Sequence, residues 1–231
     1  MFILVIIIGF GIVSYAVQSK LKNKFKKYSQ IRLSSGISGR EAAEKMLKDN
    51  GIHDVKVMSV AGQLTDHYNP SNKTVNLSEE VYNNRSAAAV AIAAHEVGHA
   101  VQHAQAYSFL ELRSALVPIQ NVSAKIMNFV LMAMLFGAFI LNGLISPQIA
   151  LMVIIGCYTI FTLFAFITLP VEYDASKRGL AWMTTSGVTT PQEHDMAKDS
   201  LKWAARTYLV AAIASLVTLL YYILMFLGIR D

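Results

Sequence analysis

The segment Ala94-His95-Glu96-Val97-Gly98-His99-Ala100 sets two histidines four residues apart, with a glutamate directly after the first. On a helix, side chains four apart share a face, with their Cβ atoms about 6 Å from each other. Both imidazoles can therefore point at one cation. Glu96 leaves the helix beside that ion, where its carboxylate can take a proton from a water the ion activates. Neutral imidazole and carboxylate suit Zn²⁺ in tetrahedral geometry, one ion per chain. Residues 86–105 contain no proline and one interior glycine, Gly98, and Ser86 reads as the N-cap of a helix that opens on an alanine-rich run. So apolar a helix expects burial. Two buried histidines and a buried glutamate need partners, which a metal supplies.

His103 lies four residues beyond His99, but each step of four turns the side chain about 40° around the helix axis. His95 and His103 then stand about 80° apart, too wide for three imidazoles to reach one ion. The third ligand is expected elsewhere, in Thr168-Leu169-Pro170-Val171-Glu172-Tyr173-Asp174-Ala175-Ser176. Pro170 reads as a helix start with Glu172 in its first turn. Two histidines and one carboxylate leave a fourth position for water, as catalysis requires. Asp174 and Ser176 are candidates to orient a ligating imidazole through its other nitrogen. An oxyanion donor is expected among His67, Tyr173, His194 and Tyr208, with Tyr208 favoured.

The elements that must carry these residues are mostly those of a membrane protein. The chain of 231 residues is 54% hydrophobic and only 15% charged, against about 25% charged in an average soluble domain. Apolar runs place transmembrane helices at 1–17, 126–141, 149–169 and 208–228, with a turn at 142–148. Between them lie two polar segments, 18–125 with the histidine motif and 170–207 with the glutamate ligand. Those segments hold 19 of the 20 lysines and arginines. The net charge of +5 thus follows membrane orientation rather than nucleic acid. The expected topology has the N-terminus outside and both polar segments in the cytoplasm. Basic residues follow the first apolar run instead of preceding it, so it reads as an anchor with a polybasic collar and not as a signal peptide. The single cysteine, Cys157, permits no intrachain disulfide and no cysteine-type zinc cluster.

Within 18–125, Ser38 and Glu41 form a capping box for a short amphipathic helix stopped at Gly51. Strands are expected at 53–60, 62–68 and 73–77, the last two as a hairpin about the turn at 69–72. Ser78 caps a further helical piece, and a helix from 108 is expected to end or kink at Pro118. Leu64, Thr65, Asp66 and Tyr68 are assigned to a sheet edge that presents an extended substrate beside the metal.

The segments LTDHYNP (64–70), AAHEVGHAVQHA (93–104), ELRSALVP (111–118), LPVEYDASKRGL (169–180), TYLVAA (207–212) and LLYY (219–222) resemble the YugP-like membrane zinc metallopeptidases, a bacterial group of neutral zinc metallopeptidases. The order of motif helix, membrane hairpin and glutamate is also similar to the HtpX-type and CAAX-processing membrane peptidases. That resemblance implies a gluzincin-type active site at the cytoplasmic membrane face and a role in membrane protein quality control or processing. Those two relatives carry an aspartate four residues after the ligand glutamate. Here Ser176 holds that position and Asp174 lies two after, so which of them orients an imidazole stays open.

The expected architecture is mainly α: a polytopic cell-membrane protein with four transmembrane helices and a small α+β zincin-like catalytic domain at the cytoplasmic face. The expected chemistry is peptide-bond hydrolysis, with Zn²⁺ on His95, His99 and Glu172 and with Glu96 as general base. The expected partners are a peptide or membrane-protein substrate and the lipid bilayer, with no nucleic acid. Two rivals are kept. An intramembrane, site-2-like protease would make the motif helix a fifth span and lacks its L-D-G-like stretch. A non-catalytic zinc scaffold would want four protein ligands, and three good ones are present.

Overall fold

A computed structural model of the chain describes residues 2–140 and 146–229, with the backbone alone for 136–140. It is mostly helical. In order it forms α1 (Phe2–Ser29), α2 (Gly39–Asp49), β1 (Lys56–Val60), β2 (His67–Asn69), β3 (Thr74–Ser78), α3 (Glu79–Asn83), α4 (Ala87–Ala104), α5 (Ser108–Ile140), α6 (Pro147–Thr185) and α7 (Pro191–Phe226). Two compact units result, one of Met1–Ser14, Leu112–Leu169 and Tyr208–Asp231, the other of Tyr15–Glu111 and Pro170–Thr207.

In the first unit, Met127 and Val130 of α5 pack with Ala150, Ile154 and Cys157 of α6, flanked by Phe161 and by Tyr222 of α7. Large apolar side chains such as Leu4, Ile8, Phe129, Leu131 and Leu163 face outward. Among the described residues four helices, α1, α5, α6 and α7, are long and apolar enough to cross a membrane. Part of the turn expected at 142–148 and the tail at 230–231 lie outside the described residues. Ser146 caps α6 through the Ile149 N–H at 3.3 Å, with Pro147 at the first helical position, where its missing N–H costs nothing.

Pro170, expected to start a helix, and Pro118, expected to end or kink one, both lie inside helices, α6 and α5 respectively. Glu172 is therefore mid-helix, not in a first turn. An interior proline loses one backbone bond, and apolar helices of 33 and 39 residues have enough others to carry the defect. The helix that carries the first apolar run is longer than the run itself: α1 continues through the lysines, which are good helix formers, to Ser29.

The second unit is built around α4. Its N-cap Ser86 accepts the Ala89 N–H at 3.3 Å. Val75 and Leu77 of β3, Met46 and Leu47 of α2, and Val90, Val97 and Val101 of α4 share one core with Trp182 and Met183 of α6. Protein, not lipid, covers α4. The capping box of α2 forms as read, with Ser38 N–H on Glu41 Oε2 at 2.7 Å. Gly51 (φ +69°) closes the other end, and the Ile52 N–H returns to the Leu47 carbonyl at 2.9 Å.

The sheet has the order β1-β3-β2, with β1 parallel and β2 antiparallel to β3. The hairpin of β2 and β3 is as expected, but its first strand is shorter. Gly62 (φ +104°) and Leu64 (φ +57°) take left-handed backbone that no ladder accommodates. Of Leu64, Thr65, Asp66 and Tyr68, only Tyr68 lies in the strand. β1 likewise begins at Lys56, not at 53.

Candidate metal centre

Two glycines decide how closely the motif helix meets residues 170–185 of α6. A Cβ on Gly98 would stand 2.5 Å from the Ala175 carbonyl oxygen and 3.0 Å from its Cα. A Cβ on Gly179 would stand 2.9 Å from the carbonyl carbon of Ala94. The obstacles are backbone and cannot swing aside. Gly98→Ala should gain up to about 1 kcal/mol of intrinsic helix propensity. We expect it instead to destabilise the protein by about 1–3 kcal/mol, the usual range for overpacking, and to weaken any metal binding at the histidines by pushing α6 off α4. Thermal denaturation in detergent, with metal analysis of the same sample, checks both. A raised midpoint would mean that the contact does not set the spacing.

That close approach brings the metal-type side chains together. Glu172 Oε2 lies 3.3 Å from His95 Nε2 and 3.7 Å from His99 Nε2. Ligand atoms of His95, Glu96 and His99 lie within 4.8 Å of one another, and the three residues form a group able to hold a metal ion. The imidazoles meet edge to face, centroids 4.8 Å apart at 81°. Glu172 is 2% exposed, and Glu96 and His99 are also buried.

Hydrogen bonds behind the rings set the chemistry of the donors. Gln102, fully buried one turn beyond His99, donates from Nε2 to the Val171 carbonyl and to Asp174 Oδ2, both at 2.8 Å. Both partners can only accept, so its Oε1 must be the atom 3.0 Å from His99 Nδ1. That oxygen also only accepts, so His99 carries its proton on Nδ1. Its Nε2 lone pair is then free to face Glu172. This is the tautomer a metal requires, and the donor set fits one. Asp174 is in turn held by the Arg178 guanidinium, whose Nη1 reaches Gln105 Oε1 at 2.6 Å. His95 Nδ1 lies 3.0 Å from Ser176 Oγ.

Ser176 thus touches an imidazole directly, while Asp174 reaches one only through Gln102. The sequence reading had no role for Gln102. Its signal is a lone amide on the motif helix, three residues past a candidate ligand.

Glu96 has a backbone partner. Its Oε2 accepts the Tyr68 N–H at 3.0 Å. Asp66 accepts both the N–H and the hydroxyl of Ser78, at 2.7 and 3.1 Å. Burial pushes its carboxyl above the usual range, the Ser78 N–H pulls the other way, and the charge of Glu96 adds to the rise. His67 is exposed and donates from Nδ1 to the Thr65 carbonyl at 2.7 Å. Thr65 itself holds the Ala61 carbonyl through its hydroxyl at 3.2 Å. Tyr173 is exposed, and His194 Nδ1 lies 3.2 Å from Thr184 Oγ1. Tyr208 belongs to the other unit, one residue past Thr207. His103 pairs with the Tyr68 hydroxyl at 2.8 Å.

A family model described as "Putative neutral zinc metallopeptidase" matches residues 2–227. A protein of Bacillus subtilis (strain 168) described as "Putative membrane protease YugP" is 39% identical over 232 residues, which is 100% of this chain and 99% of that protein. No solved structure matches.

Proposed function

The chain belongs to the family described as "Putative neutral zinc metallopeptidase", and on that premise we propose that it is a zinc-dependent endopeptidase using Glu96 as general base. The observation that carries this reading is the Glu172 carboxylate, 3.3 and 3.7 Å from the Nε2 atoms of the two motif histidines. His95, His99 and Glu172 would hold the ion. When bound, zinc supplies a water acidified to a pKa of about 7 and a Lewis acid for the substrate carbonyl. Every other part of the reaction falls to side chains and main chain. Glu96 takes the proton of the attacking water and returns it to the leaving amine. The Tyr68 N–H occupies one of its oxygens and leaves the other for that exchange. Gln102 and Ser176 keep the two imidazoles turned with Nε2 toward Glu172.

β2 is bonded to β3 on one side, so its other edge can add an extended peptide as a further strand. The N–H of Tyr68 points to that edge but is taken by Glu96, so such a peptide would pair with the Tyr68 carbonyl, next to the base. We assign the second unit a zincin-like role with a cytoplasmic location, on the strength of the charge bias of its segments. Among its described residues the same chain carries four helices long and apolar enough to cross a membrane. Membrane proteins or membrane-tethered peptides are therefore the proposed substrates, and quality control or processing the proposed role.

The test is metal analysis of the purified protein together with casein hydrolysis, before and after a chelator and after zinc is restored. We expect about one zinc per chain, loss of hydrolysis on chelation and recovery on zinc addition. Hydrolysis that persists in metal-stripped protein would overturn the proposal.

A further inference from the structure

His103 carries a role of a different kind from the histidines before it. It lies seven residues beyond Glu96 on α4, two turns on and about 10 Å along the axis, so the two share a face. A single residue of β2 spans that distance. Tyr68 gives its N–H to Glu96 Oε2 at 3.0 Å, and its hydroxyl lies 2.8 Å from His103 Nδ1. The two rings also meet, centroids 5.8 Å apart at 51°. β2 has three residues and one neighbouring strand. Edge strands this short fray readily. Its height above α4 therefore depends on what ties it down, and Tyr68 ties it twice.

We propose that Tyr68 and His103 are a positioning pair: their side-chain bond pins β2 to α4 so that the Tyr68 N–H stays on Glu96 and fixes which oxygen of the base is free. The inference rests on the reading of Glu96 as the base. It does not depend on the charge of His103. A neutral ring with its proton on Nε2 accepts from the tyrosine at Nδ1, and a protonated ring donates to the tyrosine oxygen. His103 is thereby a clasp and not a ligand.

The experiment compares wild type with Tyr68→Phe, His103→Leu, the double variant and His103→Asn, whose Oδ1 stands near where Nδ1 stood. Two readouts are taken: amide hydrogen exchange over residues 66–69, and steady-state peptide hydrolysis with zinc content. Tyr68→Phe and His103→Leu should each speed exchange at Tyr68 about tenfold, the effect of losing one hydrogen bond. Each should lower kcat by about five- to tenfold, with zinc content held. The double variant should be no worse than either single, and His103→Asn should recover most of the loss. Additive single effects, unchanged exchange, or faster exchange with kcat unaltered would each overturn the pair. So would loss of zinc in His103→Leu. If the wild type itself hydrolyses nothing, the peptidase reading fails on that arm alone, and the exchange arm still decides whether the clasp exists.

Discussion

Glu96→Gln is expected to lower kcat for peptide hydrolysis by about a thousandfold, within the range for loss of a general base, while zinc stays bound. The argument is one of minimal change. The amide has the shape of the carboxylate, and its oxygen can still accept the Tyr68 N–H that Glu96 Oε2 accepts at 3.0 Å. β2, α4 and the imidazoles should stay where they are. What is lost is an ionisable oxygen able to take a proton from water and give it back to an amine. A thousandfold corresponds to about 4 kcal/mol of transition-state stabilisation, near what a single preorganised group supplies. The check is kcat and zinc stoichiometry on the same preparation. A variant that keeps its zinc and hydrolyses within tenfold of wild type would move the base elsewhere. A variant that loses zinc would instead make Glu96 a ligand.

What the amino-acid order revealed, and what it hid, divides by distance along the chain. The spacing of His95 and His99, the caps at Ser38, Ser78 and Ser86 and the stop at Gly51 are local. Each is decided within a few residues by the helix's own unpaired backbone groups. They were legible. Glu172 was reachable by a chemical argument, because two histidines and a base want one more anionic ligand. Its setting was not, since Pro170 reads as a start while α6 runs through it. That rule is drawn from helices in water, where few neighbours make up for a missing bond. The strand at 62–68 failed because alternation says nothing about the left-handed backbone at Gly62 and Leu64. Gln102, the Tyr68 N–H and the contact of Gly98 with Ala175 are tertiary. A backbone donor has no letter of its own, and Gly179 is ordinary until α4 lies against it.

The proposed ligand set makes a graded prediction about metal affinity, in which Glu172→Ala should cost the most. Glu172 is 2% exposed, with its Oε2 3.3 and 3.7 Å from the Nε2 atoms of His95 and His99. Its removal leaves two imidazoles where three donors converged. We expect zinc affinity to fall by more than the 10–100-fold typical of losing an outer partner. Glu172→Gln, which keeps the volume and removes the charge, should fall in the same direction and so separates loss of a ligand from loss of packing. Gln102→Leu should sit within that 10–100-fold band. It leaves both histidines in place but frees the His99 ring to turn and the Nδ1 proton to move. It also strands the Val171 carbonyl and Asp174, so its thermal midpoint should drop as well. His103→Ala should bind zinc as wild type does, because its Nδ1 is engaged by Tyr68 two turns from Glu96. Competition with a chromogenic chelator orders the four variants. Wild-type affinity in Glu172→Ala beside a metal-free His103→Ala would invert the ligand set and move the third donor from α6 to the end of α4.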